Sequence, residues 1–306
     1  MGPAGSPPLR GLIVELVTLL DSRGRIDRAG TLRLLNRIGG QADGLFLCGP
    51  EVGLGPDLET EQRAELLELV SGECSLPLSV FITHSTRKAG AECAEVLTKV
   101  NPDLVLVDAP LLARSNRDLL NWLGYLGQRF DQPLVLYNHP RLTERISSPT
   151  KRRNIRTAIL KRAAAEYPNL AGLIFRGEFR RLLNYHQAVR SGPGFRIYDG
   201  EELCFLDRPS TSGVVSVGAN LIPEAWAKIV RAALNRGPAA PLAETLACGR
   251  AARVLGGRLE KEPRELILKL LAGGEMPGFL KGTGLQRWGL WPGSRPALSP
   301  EGGAGP

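Results

Sequence analysis

Long apolar runs are missing from this sequence: no segment approaches the roughly 20 consecutive apolar residues that a membrane-crossing helix requires. The apolar stretch near the start, GLIVELVTLL, is broken by Glu15, and no small-residue cleavage site follows it. It therefore fits neither a span nor a secretory leader, and a cytoplasmic protein with no membrane partner is expected. Paired cysteines are missing too. Cys48, Cys74, Cys93, Cys204 and Cys248 are odd in number, scattered, and never spaced C-x-x-C, which argues against a disulfide framework and a thiolate metal site. They read as reduced thiols. No G-x-G-x-x-G follows the first strand-like run, so the usual dinucleotide-binding fingerprint is absent.

Acidic residues are scarce in one region. Residues 141–196 hold 13 Arg or Lys against three Asp or Glu, within a chain whose formal net charge is +8. Such clusters can neutralise phosphates. In KRRNIRTAILKRAAAEYPN, however, Ile155, Ala158, Ile159 and Ala163 recur at near-helical spacing with basic residues between them, the pattern of a solvated helix face. A nucleic-acid partner is not expected.

What is present is ordinary globular material, 43% hydrophobic and 23% charged, enough to bury one large core. Strand-like runs occur at 11–18, 44–49, 76–83, 103–110, 133–140, 170–177, 194–200 and 212–220. Between them lie segments such as DLETEQRAELLELVSG and TRKAGAECAEVLTKVN, with apolar residues at three- and four-residue steps. Eight strands each followed by a helix predict an α/β fold, a (β/α)8 TIM barrel, over residues 10–237. Two more helical patterns, 241–255 and 263–272, have Gly256, Gly257, Gly273 and Gly274 as their stops. They predict a C-terminal helical extension over 238–291, packed outside the barrel. Residues 1–9 and 292–306, rich in Gly and Pro, read as disordered tails.

Chemistry in such barrels sits at the C-terminal ends of the strands. Those ends carry Glu51 after the second run, His84 after the third, Asp108 on the fourth, Tyr137 and Asn138 on the fifth, Arg176 on the sixth, and Asp199, Glu201 and Glu202 on the seventh. Period-two alternation puts Arg176 on the face of Ile174 but nearer the mouth. There it can pair with Glu51, Asp108 or Glu202, and self-pairing is favoured because buried charges need partners. His84 and His139 with nearby carboxylates have suitable atoms for a divalent ion, but their spacing is not diagnostic and each reads as a hydrogen-bonded loop residue. Neither a metal nor a cofactor is expected. His186, in a helical pattern, is assigned no role.

GLIVELVTLLDSRGRID, GLFLCGPEVGLGPDLETEQRAEL, VLVDAP, PLVLYNHP, AGLIF, IYDGEE and GVVSVGANLIP follow one another in an order and spacing that resembles the dihydrodipicolinate synthase and N-acetylneuraminate lyase family, over roughly residues 11–240. The most specific element is tyrosine-asparagine-x-proline closing the fifth strand. The resemblance implies a strand-six lysine that forms a Schiff base with pyruvate or another 2-oxo acid, and a strand-five tyrosine, here Tyr137, that relays protons. It further implies a glycine-threonine-threonine-glycine loop after strand two that holds the substrate carboxylate through backbone N–H groups and hydroxyls. Together with the strand-end reading, it makes Gly49, Glu51, Asp108, Arg141, Arg176, Gly200, Glu202 and Val215 the substrate-binding candidates.

Several of the implied residues are replaced. Ile174 stands where the lysine belongs, and a shift of two residues brings Arg176, whose guanidinium stays protonated and cannot serve as the amine. After Gly49 come Pro50, which lacks a donor, and Glu51, which sets a negative charge where an anion is expected. Leu111 and Leu112 replace paired tyrosines, and Leu142 replaces an arginine, with Arg141 adjoining it. Lys161 lies in a helical stretch and reads as solvent-facing. The expectation is a divergent member that has lost Schiff-base aldolase activity. Such a protein serves as a binding or regulatory homologue or does imine-free chemistry, takes a small polar or 2-oxo acid ligand, and assembles as a homo-oligomer. The alternative is an active lyase acting on a 2-oxo acid, so whether the chain is an enzyme stays open here.

Overall fold

Eight parallel strands close on themselves in chain order: β1 (Gly11–Glu15), β2 (Gly44–Leu47), β3 (Leu78–Phe81), β4 (Val105–Asp108), β5 (Leu134–Asn138), β6 (Leu170–Phe175), β7 (Arg196–Asp199) and β8 (Gly213–Ser216). The computed structural model describes residues 10–113, 115–145, 154–190, 192, 194–235 and 241–291. The expected tails and Lys151, Arg152 and Arg153 of the basic region lie outside the described residues. Crossover helices are α1 (Arg28–Ile38), α2 (Thr60–Glu73), α3 (Arg87–Val100), α4 (Asn116–Arg129), α5 (Pro140–Arg145), α6 (Thr157–Glu166), α7 (Phe179–Val189), α8 (Glu202–Asp207) and α9 (Pro223–Ala233). Beyond them come α10 (Leu242–Leu259) and α11 (Pro263–Gly273). The architecture is the (β/α)8 TIM barrel anticipated from the alternation.

Local sequence explains where the helices start. Asp27, Thr86 and Ser115 each accept a hydrogen bond from the backbone N–H three residues on, at 2.9, 3.1 and 3.1 Å, satisfying donors that a helix start leaves open. Glu59 and Gln62 form a capping box for α2. The strands are shorter than the apolar runs that announced them. The last run continues to 220, yet β8 ends at Ser216 because Gly218–Asn220 turn into a 3-10 segment.

Register decides what faces the barrel axis. Ile13, Leu45, Val107, Val135, Ile174 and Tyr198 line one interior space, and Ile174 lies opposite Tyr137 of β5 and Tyr198 of β7. Alternation then sends the flanking residues Phe175 and Asp199 outward. On α6, Leu160 and Ala163 are buried whereas Lys161 and Arg162 are exposed. Ala158, expected on the inner face, is exposed, and Leu160 takes its place.

α10 packs on α8 and α9, and α11 packs on α10, but the extension does not lie only outside the barrel. Gly256 and Gly257, expected as stops, lie inside α10. A Cβ at Gly256 would fall 3.0 Å from Leu203 Cδ2, so this glycine allows α10 to approach α8 closely. The helix continues to Leu259, and Arg264 at the start of α11 donates to the Thr18 carbonyl at 2.8 Å. The turn between α10 and α11 is thereby tied to the loop after β1.

Candidate site at the barrel mouth

One fully buried group at the mouth is one that the strand-end reading passed over. Glu15 ends β1 with the same parity as Ile13, so its side chain points inward. It is fully buried. Its Oε1 accepts hydrogen bonds from the backbone N–H groups of Glu51 and Val52 at 2.7 and 2.9 Å, whereas Oε2 has no hydrogen-bond partner among the described residues. Burial, with the neighbouring Glu51 charge, pushes the carboxyl up to about 8, against the pull of the two N–H groups and Arg176. A charged residue at an inward position of a run otherwise made of apolar residues was the available signal.

Glu51 stands between two donors. Arg176 Nη1 lies 2.7 Å from its Oε2, and His139 Nε2 contacts its Oε1. Burial raises this carboxyl, but the His139 hydrogen bond and the Arg176 charge outweigh it and hold the group down at about 2. His139 is itself lowered by burial. The neutral imidazole then donates from Nε2 to Glu51 while Nδ1 accepts from the Leu142 N–H at 3.4 Å. Burial also lowers Arg176, yet Glu51 more than restores it. The guanidinium is thus permanently charged and already paired.

Tyr137 is buried beside this group, its ring centroid 5.4 Å from that of His139 and 6.3 Å from that of Phe46. Burial pushes its phenol well above the ordinary range, with Arg176 opposing. Glu202, at the start of α8, accepts from the Ser216 hydroxyl and from the Gly218 N–H at 2.7 Å, and burial raises its carboxyl. Glu15, Glu51, Arg176, Gly200, Glu202 and Val215 line one cavity, shared with Gly256, Leu259, Glu260 and Pro263 from the C-terminal helices.

Other candidates stand apart. Asp108, expected at the mouth, faces the helical layer: Thr83 Oγ1 and Trp122 Nε1 donate to its carboxylate at 2.7 and 2.9 Å. Val107 is the inward residue of β4, so parity sends the next one outward. Asp199 likewise faces the space between α7 and α8, held by the Ser210 N–H at 2.8 Å. Arg141 is exposed on α5. Gly49 lies beneath the Glu15 carboxyl, where a Cβ would fall 2.4 Å from Glu15 Cδ. Among the described residues the His84 ring hydrogen-bonds to Ser85. Among the described residues no group of three His, Cys, Asp or Glu is placed to hold a metal ion, and no helix is long and apolar enough to cross a membrane.

Comparison with known proteins agrees with this architecture. The 4-hydroxy-tetrahydrodipicolinate synthase of Protochlamydia amoebophila is 25% identical over 235 residues, covering 74% of this chain and 75% of that protein. YagE, an Escherichia coli K12 prophage protein of the dihydrodipicolinic acid synthase family solved in complex with pyruvate, superposes with a TM-score of 0.74 at 17% identity, covering 88% of this chain and 89% of that one. The 4-hydroxy-tetrahydrodipicolinate synthase of Methylacidiphilum fumariolicum SolV gives 0.73 at 21% identity, covering 93% and 100%. At those identities the solved structures speak for the fold alone. The family itself follows from the sequence match, which runs over residues 8–247 to the dihydrodipicolinate synthetase family: the chain belongs to that family.

Proposed function

We propose that this barrel is a member of its family that forms no imine with a 2-oxo acid and keeps its mouth as a ligand-binding site, in a binding or regulatory role. The observation that carries the reading is the pair of hydrogen bonds to Glu15. The loop after β2 is the one whose backbone N–H groups the family resemblance assigns to the substrate carboxylate. Here the Glu51 and Val52 N–H groups donate to the chain's own carboxylate at 2.7 and 2.9 Å. An incoming 2-oxo acid would have to displace a buried side chain from its donors, then lie beside two further carboxylates, Glu51 and Glu202.

The nucleophile position supports the same reading. Ile174, aligned with the family's lysine, faces the barrel interior between Tyr137 and Tyr198, and an alkyl group cannot condense with a carbonyl. Among the described residues no lysine lines the mouth cavity. Lys161 is exposed on α6. Arg176, the basic residue among the described lining of the cavity, is committed to Glu51. The rival reading, an active lyase on a 2-oxo acid, requires a primary amine at the mouth. Incubation with pyruvate and borohydride followed by intact-mass measurement separates the two: an unchanged mass is expected, and a reduced pyruvate adduct restores the lyase.

A further inference from the structure

The mouth cavity combines two kinds of lining. Val215, Val217, Leu203, Leu259 and Pro263 supply apolar surface, and Glu15, Glu51, Glu201, Glu202 and Glu260 supply carboxyl groups, with Arg176 the one basic residue among the described lining. The charges are not equivalent. Glu51 is neutralised by Arg176, at 2.7 Å, and accepts a hydrogen bond from His139. Glu202 has both a hydroxyl and an N–H donor. Glu15 differs: its Oε1 has two donors, but its Oε2, on a side chain with no exposed surface, has none among the described residues. A buried carboxylate oxygen lacking a donor is costly unless a donor reaches it. An N–H group carrying a positive charge meets that need best, and the other carboxyl groups in the wall favour the same sign.

We propose that the mouth cavity binds a small alkylammonium ligand, whose N–H groups donate to Glu15 Oε2 and whose apolar body lies against Val215, Val217 and Leu259, and that it disfavours small carboxylates. This deepens the binding role argued above and rests on it. The family's implied preference is inverted by one residue: with an internal carboxyl group seated on the loop N–H groups, the ligand-facing oxygen of that seat turns negative when a cation draws off its proton. Arg176 does not reverse the sign, because its charge is matched by Glu51.

Groups facing Glu15 come from every side of the mouth. Glu51 and Arg176 act on it directly, Tyr137 feels its charge from β5, and Glu201, Glu202 and Glu260 share the cavity wall. With the Glu15 carboxyl up at about 8, the free protein at neutral pH holds a proton there. A bound ammonium favours the carboxylate and expels that proton.

The test is calorimetric titration of the full chain with n-butylammonium, butyrate and 1-butanol, probes of one shape and three charges. Butylammonium is expected to bind, butyrate to give no binding, and butanol to bind more weakly than the cation. Glu15→Gln keeps the side-chain shape and the Oε1 acceptor, and is expected to weaken butylammonium binding by about tenfold or more. Butyrate binding as tightly as butylammonium, no binding of the cation, or an unchanged affinity in Glu15→Gln overturns the proposal. Should that variant fail to fold, the unmodified protein still decides: titration near pH 7 in two buffers of different ionisation enthalpy is expected to show proton release on binding butylammonium, and proton uptake or no exchange counts against it. A borohydride-trapped pyruvate adduct would remove the underlying binding-role reading. An unchanged mass together with failure to bind the ammonium removes only the ligand class.

Discussion

The Glu15 carboxyl lies directly over the α-carbon of Gly49: a Cβ built on Gly49 would stand 2.4 Å from Glu15 Cδ and 2.5 Å from its Oε1. The absence of a side chain at 49 is what lets the carboxylate of β1 reach the N–H groups of the loop after β2. Gly49→Ala is therefore expected to push Glu15 off those donors and to destabilise the fold by about 1–3 kcal/mol, as overpacking of a well-filled interior does. Glu15→Ala in the same chain should relieve the clash, so the two changes together cost less than their sum. Urea unfolding of the two single variants and the double variant measures this, and strict additivity would mean that the contact is not what constrains position 49.

Titration of the mouth should appear in the pH dependence of stability. Glu15 is raised from an ordinary value of 4.5 to about 8, so between those limits the folded state binds more protons than the unfolded one. Its stabilising contribution is complete below about pH 4.5 and is lost as pH rises through 8. Asp199, raised mainly by burial to about 7, acts in the same direction. Glu51, held down at about 2, acts oppositely, its contribution present above about pH 4.5 and lost as pH falls through 2. Unfolding free energies at about pH 5 and pH 8 should fall between the two pH values in the unmodified protein and fall less in Glu15→Gln. An equal fall in both would assign the slope to Asp199 and the other raised carboxyls alone.

Restoring one catalytic group should restore little. Ile174→Lys supplies an amine on the inward face of β6, but Glu15 still occupies the loop N–H groups, Pro50 still lacks a donor, Glu51 still holds the Arg176 charge, and Leu112 still omits a phenol. Groups that act as a unit are strongly non-additive. Ile174→Lys alone should trap little pyruvate adduct with borohydride. Combining it with Glu15→Ala, Pro50→Thr, Glu51→Thr and Leu112→Tyr should trap clearly more. If the single variant traps as much as the combination, the carboxylate seat is not the obstacle.

Much of the fold was legible because its signals are periodic. Alternating apolar runs located the eight strands and three- and four-residue steps several of the crossover helices, and parity alone put Arg176 beside Ile174 on the inward face. Parity also held the information that was missed. Applied to β4 it sends Asp108 to the helices, where Trp122 and Thr83 bind it, and applied to β1 it sends Glu15 to the mouth. Glycine read as a stop misled at Gly256, since only tertiary contact with Leu203 reveals that the helix needs a missing side chain there. The reach of α10 and α11 over the mouth depends on contacts such as Arg264 with Thr18, far apart in sequence and invisible to any local pattern. Self-pairing of Arg176 was the favoured reading on general grounds of buried charge, with Glu51, Asp108 and Glu202 as the candidates; that the partner is Glu51, with His139 behind it, had to be seen in three dimensions.

Calorimetric titration of pyruvate into the unmodified protein and into Glu15→Ala bears most directly on whether an internal carboxylate holds the place of the ligand's. With Glu15 on the Glu51 and Val52 N–H groups, the unmodified protein should show no pyruvate binding at millimolar concentration, and Glu15→Ala, folded and with those donors freed, should gain it. Pyruvate binding to the unmodified protein that Glu15→Ala leaves unchanged or weakens would contradict this assignment.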